Sequence, residues 1–151
     1  MTRLATGFDL ALPAGWQAAA RRQPPSSPGA RGNLLVHVST VALPRDRGDF
    51  GSGVVTTLGP DDLLLTFFEY DADATATPLF AARGLPRPRP SDFDPSAMQR
   101  VLPGMSGAQY FFSTAGRAWC LHVVLGSHAR RNAGAVTATA LLARTRIGRD
   151  T

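Results

Sequence analysis

Phe8, Leu10 and Leu12 alternate with Asp9 and Ala11, a period of two that predicts a half-buried strand over residues 7–12. Pro13-Ala14-Gly15 supplies a turn, because proline presets φ and glycine accepts a positive one. Trp16–Ala20 then reads as a second strand, with Trp16 folded back on the core. Asn33–Leu43, dense in Val and Leu, predicts a third strand, and Asp46–Gly53 is a cluster of turn formers. The chain breaks again at Gly59-Pro60. Before the break, Val54, Val55 and Leu58 make one helical turn or a short strand. After it, Leu63–Tyr70 is apolar on both alternating faces until its end, the pattern of a strand covered on both sides.

Gln109–Thr114 and Ala118–Leu125 flank Ala115-Gly116-Arg117 and predict a β-hairpin with glycine at its turn. Ala133–Ile147 predicts one helix, with Val136, Ala140, Ala143 and Ile147 on its apolar stripe and Arg144 and Arg146 off it. Two segments carry no periodicity. Arg21–Gly32 is rich in Pro, Ser and Gly, and Pro78–Pro103 is long and Pro-rich, a length that marks a functional or poorly ordered loop. The expected architecture is α+β: one domain over residues 1–151, core from about 7 to 147, an antiparallel sheet with flanking helix and a C-terminal helix packed on it.

Two short signatures frame that architecture. Phe-x-Leu-x-x-Pro-x-Gly-Trp runs from Phe8 to Trp16, and Gly116-Arg117-Ala118-Trp119 precedes a long strand. With the closing helix they resemble the PsbP-like superfamily, which includes the photosystem II extrinsic protein, a nuclear-import factor that binds Ran, and many actinobacterial lipoproteins. The resemblance spans about the whole chain and implies a twisted antiparallel sheet flanked by helices. It transfers no catalytic residue, because the superfamily has no common one. The chain departs from the pattern in lacking a clear lipobox or leader and in its scarcity of helix before the hairpin.

Composition changes this picture in one respect. All 16 basic residues are Arg, no Lys occurs, and Glu69 is the only Glu. Arg, Ala, Gly and Pro share GC-rich codons, so the bias reads as that of an actinobacterium-like high-GC genome. The net charge of +5 permits attraction to nucleic acid or an anionic surface, but such a genome supplies arginine regardless of function. Cys120 is alone, so no intramolecular disulfide forms. No run approaches the roughly 20 apolar residues of a membrane span. The expectation is a soluble, cytoplasmic protein, associated with the cell envelope if a leader has been removed, with homo-oligomerisation open.

Candidate chemistry is sparse. Cys120 and His122 share one face of their strand, opposite Trp119, Leu121, Val123 and Leu125, as a thiolate pair or half a metal site would. No C-x-x-C or H-x-x-x-H spacing completes either, and a buried Cys is commonly a small apolar residue. His37, between Val36 and Val38, reads as a hydrogen-bonded structural histidine. Gly104-Met105-Ser106-Gly107-Ala108 approaches the nucleophile elbow, but its last position is Ala and a strand follows it. Asp61 and Asp62 suit a turn, and Asp71 and Asp73 offer too few oxygens for calcium. Arginines gather at Arg21-Arg22, at Arg83, Arg87 and Arg89, and around the C-terminal helix (Arg130, Arg131, Arg144, Arg146, Arg149).

The resulting expectation is a non-catalytic protein-binding or scaffold module without cofactor or metal, whose contact surface is Phe80, Arg83, Arg87, Arg89 and Phe93 in the long loop. The alternatives are a small thiol or hydrolytic enzyme using Cys120 with His122 or His37, and an Arg-mediated binder of nucleic acid or an anionic surface.

Overall fold

The computed structural model of the chain describes residues 1–24 and 32–150. A five-stranded antiparallel sheet orders β3 (Gln17–Arg22), β4 (Leu34–Ser39), β5 (Leu63–Tyr70), β7 (Arg117–Leu125) and β6 (Ser106–Thr114) side by side. A three-stranded sheet joins β1 (Thr2–Ala5), β2 (Phe8–Leu10) and β8 (Thr145–Ile147). Among the described residues two α-helices, α1 (Ser52–Val55) and α2 (Arg131–Leu142), and three short 3-10 helices (Ala72–Ala76, Pro78–Phe80 and Pro90–Asp92) complete the α+β arrangement.

Strand β5 bears out its two-sided pattern. Leu63, Leu65 and Phe67 enter one core with Leu34, Val36 and Val38 of β4 and Trp119, Leu121, Val123 and Leu125 of β7. The small sheet and α2 cover that face: Phe8 meets Phe67 at 5.1 Å and Trp119 at 5.8 Å between ring centroids, in edge-on and tilted contacts that aromatic rings favour. Leu64 and Val124 point to the opposite face, where α1 contributes Val54 and Val55 to a second, smaller cluster.

The C-terminal helix lies on the sheet as expected but ends at Leu142, and its predicted stripe is the wrong one. Ala135, Ala138, Leu141 and Leu142 are buried, whereas Val136 is 70% exposed and Ala140 and Ala143 face outward. In an Ala-rich helix several stripes satisfy the same period, and the one with the two leucines wins because it buries more apolar surface. At the helix end the Leu141 carbonyl accepts from both Arg144 N at 2.9 Å and Thr145 Oγ1 at 3.0 Å, which closes the last turn. The next three residues then pair with β2.

Strand β4 also stops short of the expected Leu43. The Ser39 hydroxyl donates to Leu63 O and accepts from Val41 N at 3.0 Å, drawing the chain out of the ladder. The expected loop Arg21–Gly32 starts later, since Arg21 and Arg22 are strand, and residues 25–31 lie outside the described residues. The β6–β7 hairpin turns through Ala115 and Gly116, at φ of 53° and 73°, and Arg117 already belongs to β7.

Candidate functional site

The long Pro-rich segment is a strap around the edge strand β6. It begins with Phe80, 3% exposed and packed against Tyr70 and Phe111 on the α1 face. Residues 82–84 then bond to Ser113 of β6, with Gly84 N donating to Ser113 O and Ser113 N to Ala82 O. Phe93, 5% exposed, is in the main core on the other face. Asp94 exchanges two backbone hydrogen bonds with Gly107, and Met98 and Leu102 finish against the α1-face cluster. The strap thereby satisfies part of an edge that would otherwise stay open to pairing.

This placement divides the expected contact residues. Phe80 and Phe93 are anchors, so neither ring is available to a partner; a buried aromatic is what holds a segment of low periodicity in place. Arg83, Arg87 and Arg89 are exposed. Arg87 and Arg89 flank the buried Pro88, whose carbonyl accepts from Thr139 Oγ1 of α2 at 3.2 Å. On one side they line a shallow groove with Val136 of α2. On the other they stand beside Gln109 and Tyr110, a neighbourhood that sequence proximity did not indicate. Tyr110 donates to Asp92 Oδ2 at 2.8 Å, and burial together with that bond raises its phenol above the usual range. Arg83 lines neither groove.

His37, His122 and Cys120 lie on the α1 face, and each has a different environment. His37 has both ring nitrogens engaged: Nε2 donates to Asp49 O and Nδ1 accepts from Arg47 Nε, each at 2.9 Å. Burial, with Arg47 and Arg21 nearby, lowers its imidazole to about 4. It pins the Asp46–Gly53 turn region to the sheet. Cys120 is fully buried between its cross-strand neighbours Phe68 and Phe111, and burial pushes its thiol up to about 11. A thiol so held stays protonated near neutral pH and is a poor nucleophile. Ser106 is likewise fully buried at the start of β6, out of reach of a substrate.

His122 differs. Its Nε2 donates to Ala97 O of the strap at 3.1 Å, while Nδ1 is buried without a partner. Thr66, its cross-strand neighbour on β5, also has a buried hydroxyl without a partner. Burial lowers the His122 imidazole, so it is neutral near pH 7 and Nδ1 carries a lone pair. Sequence reasoning singled out His122 only as a companion to Cys120, because period-two spacing shows which residues share a face and not which atoms are satisfied.

Asp62 accepts from Gly59 N and Thr40 Oγ1 and so holds a turn, as its position suggested. Among the described residues no three His, Cys, Asp or Glu side chains stand together where they could hold a metal ion, and no helix is long and apolar enough to cross a membrane. No protein-family model matches the chain, and no curated protein or solved structure is significantly similar to it.

Proposed function

We propose that this chain is a non-catalytic protein-binding module of the PsbP-like kind, and that Arg87 and Arg89 on the strap form its contact surface. The observation that carries this reading is their setting: two exposed guanidinium groups on a backbone fixed by Pro88, beside the exposed Val136 of α2. Arginine next to apolar surface is the mixture that interface cores favour, and a fixed backbone lowers the ordering cost of binding. An acidic segment with apolar residues fits this groove. The antiparallel sheet with its C-terminal helix supports the resemblance, and the burial of Cys120 and Ser106 supports a reading without covalent chemistry.

The test is a capture experiment from nuclease-treated lysate, washed at low and high salt, with the wild-type chain and the Arg87→Glu/Arg89→Glu variant as paired baits. The reading expects a protein retained by the wild type at high salt and lost by the variant. Equal retention by both baits, or capture that nuclease treatment abolishes, overturns it.

A further inference from the structure

The strap covers the outer edge of β6 only at its two ends. Gly107 and Ser113 bond outward to the strap, so the alternation of an antiparallel strand turns Gln109 and Phe111 outward as well. The backbone N–H and C=O of both residues have no protein partner among the described residues. The register with β7 runs without a bulge from Ser106 to Thr114, so these groups stand in one line. Between its pairing points the strap swings away over the α2 face, held there by Pro88 and Phe93. Its arginines flank the gap, since Arg87 and Arg89 share a groove with Gln109 and Tyr110. We propose that an acidic peptide segment adds to this edge as a short strand, bonded to the backbone of Gln109 and Phe111, with a carboxylate on the Arg87 and Arg89 guanidinium groups. The proposal rests on the reading of those arginines as a contact surface and states how the partner engages it.

Edge strands are ordinarily blunted by charge, proline, a bulge or cover. At the opposite edge of the sheet β3 carries Arg21 and Arg22, ion-paired to Asp49 and Asp150. Gln109-Tyr110-Phe111 has none of these devices, and its two aromatic residues favour extended backbone. A peptide added to such an edge draws affinity from main-chain hydrogen bonds and selectivity from alternate side chains. Alternation sorts those side chains here. The two opposite Gln109 and Phe111 share the α1 face with the half-buried Phe111 ring, which suits apolar residues. The one opposite Tyr110 faces the arginine groove, which suits a carboxylate. Arg87 has no ion-pair or hydrogen-bond partner among the described residues. Asp92, the acid in the groove, is already engaged by Tyr110 Oη at 2.8 Å and Arg89 N at 3.0 Å. A second copy of this chain fits less well, because pairing two β6 edges sets each pair of arginines against its like.

The test uses the full chain labelled with ¹⁵N and the peptide acetyl-Glu-Val-Glu-Val-Glu-amide, whose valines are placed opposite Gln109 and Phe111. The expected result is slower amide hydrogen exchange at Gln109 and Phe111 when peptide is added. Ala108 and Tyr110, whose amides already face β7, should not change. Methylating the two valine nitrogens should weaken binding about tenfold, and so should replacing the glutamates by lysines. Gln109→Pro removes one outward N–H without breaking an internal hydrogen bond, a position where an edge strand accepts proline, and should weaken binding several-fold. If Gln109→Pro fails to fold, the methylated peptide and the exchange pattern decide the matter. Equal affinity for the methylated peptide, unchanged exchange at Gln109 and Phe111, equal affinity for the lysine peptide, or no binding overturns the proposal. Protection of the same amides without peptide, rising with protein concentration, assigns the edge to a second copy and overturns it too. Arg87→Glu/Arg89→Glu should lose both the peptide and the protein captured from lysate. If it loses both while methylation has no effect, the strap reading stands and strand addition falls. If it retains both, the strap reading has failed and takes the proposal with it.

Discussion

Arg117 holds Glu69, the only glutamate in the chain, through two guanidinium edges: Nε donates to Oε2 at 2.8 Å and a terminal nitrogen to Oε1 at 3.2 Å. Both side chains are nearly buried. The remaining bonds of Arg117 run to Thr6 O and Gly148 O, and its guanidinium lies 4.8 Å over the Trp119 ring. Glu69 Oε1 also accepts from Leu34 N. One ion pair thus ties β4, β5 and β7 to both ends of the small sheet. Its net worth is modest, because two charges are desolvated to form it, but leaving one partner behind is costly.

Arg117→Leu should therefore destabilise the fold by about 3 kcal/mol, the range for an uncompensated buried charge. Glu69→Leu/Arg117→Leu should lose less than the sum of the two single changes. Urea unfolding of the four proteins checks this; additive losses would mean that the pair is not coupled.

The pattern of positions made the sheet legible because strands such as β5 and β7 carry their burial in plain alternation. The same logic failed at the C-terminus, where Thr145-Arg146-Ile147 continues a helical period yet pairs with β2, a strand at the far end of the sequence. The motif Gly116-Arg117-Ala118-Trp119 was visible as a spacing, but its partner Glu69 was not, since nothing local links the two. The strap shows the opposite limit. Its anchors Phe80 and Phe93 resemble exposed binding residues in a loop without periodicity, and only the tertiary structure distinguishes an anchor from a contact.

The hairpin turn offers a stabilising change. Ala115 sits at φ 53°, where a Cβ is strained, and is followed by Gly116 at φ 73°. Asn tolerates this conformation, and Asn-Gly is the preferred pair for a two-residue turn with positive φ at both positions. Ala115→Asn should raise stability by about 0.5–1 kcal/mol, the usual scale for relieving such a turn position. A lower midpoint in thermal unfolding would contradict it.

Stability should fall on mild acidification. His37 has a folded-state value of about 4 against 6.5 in the unfolded chain, so the unfolded state takes up the proton first. Its contribution is fully present above about pH 6.5, declines as pH falls, and changes no further below about pH 4. The size is on the order of 3 kcal/mol across that window, since each tenfold difference in proton affinity between the two states is worth about 1.4 kcal/mol. His122 is lowered by burial and acts in the same direction. His37→Gln should flatten the stability profile between pH 6.5 and 5 relative to the wild type, leaving the part due to His122. An unchanged slope, measured by urea unfolding at graded pH, would remove His37 from the account.

Cys120 provides the sharpest test of a thiol mechanism. It is fully buried, and burial holds its thiol near 11, so the native protein presents neither access nor thiolate at neutral pH. Iodoacetamide at pH 7.5 should leave the native chain unmodified on the timescale in which it alkylates the same chain in urea. Any slow native-state reaction should follow the global opening rate, and its dependence on denaturant should match that of unfolding. Rapid labelling of the native protein, with a pH midpoint below that of a free cysteine, would instead mark Cys120 as an activated nucleophile. His122→Phe would then separate activation by the imidazole from simple exposure, because only the former raises the midpoint when the ring nitrogen is removed.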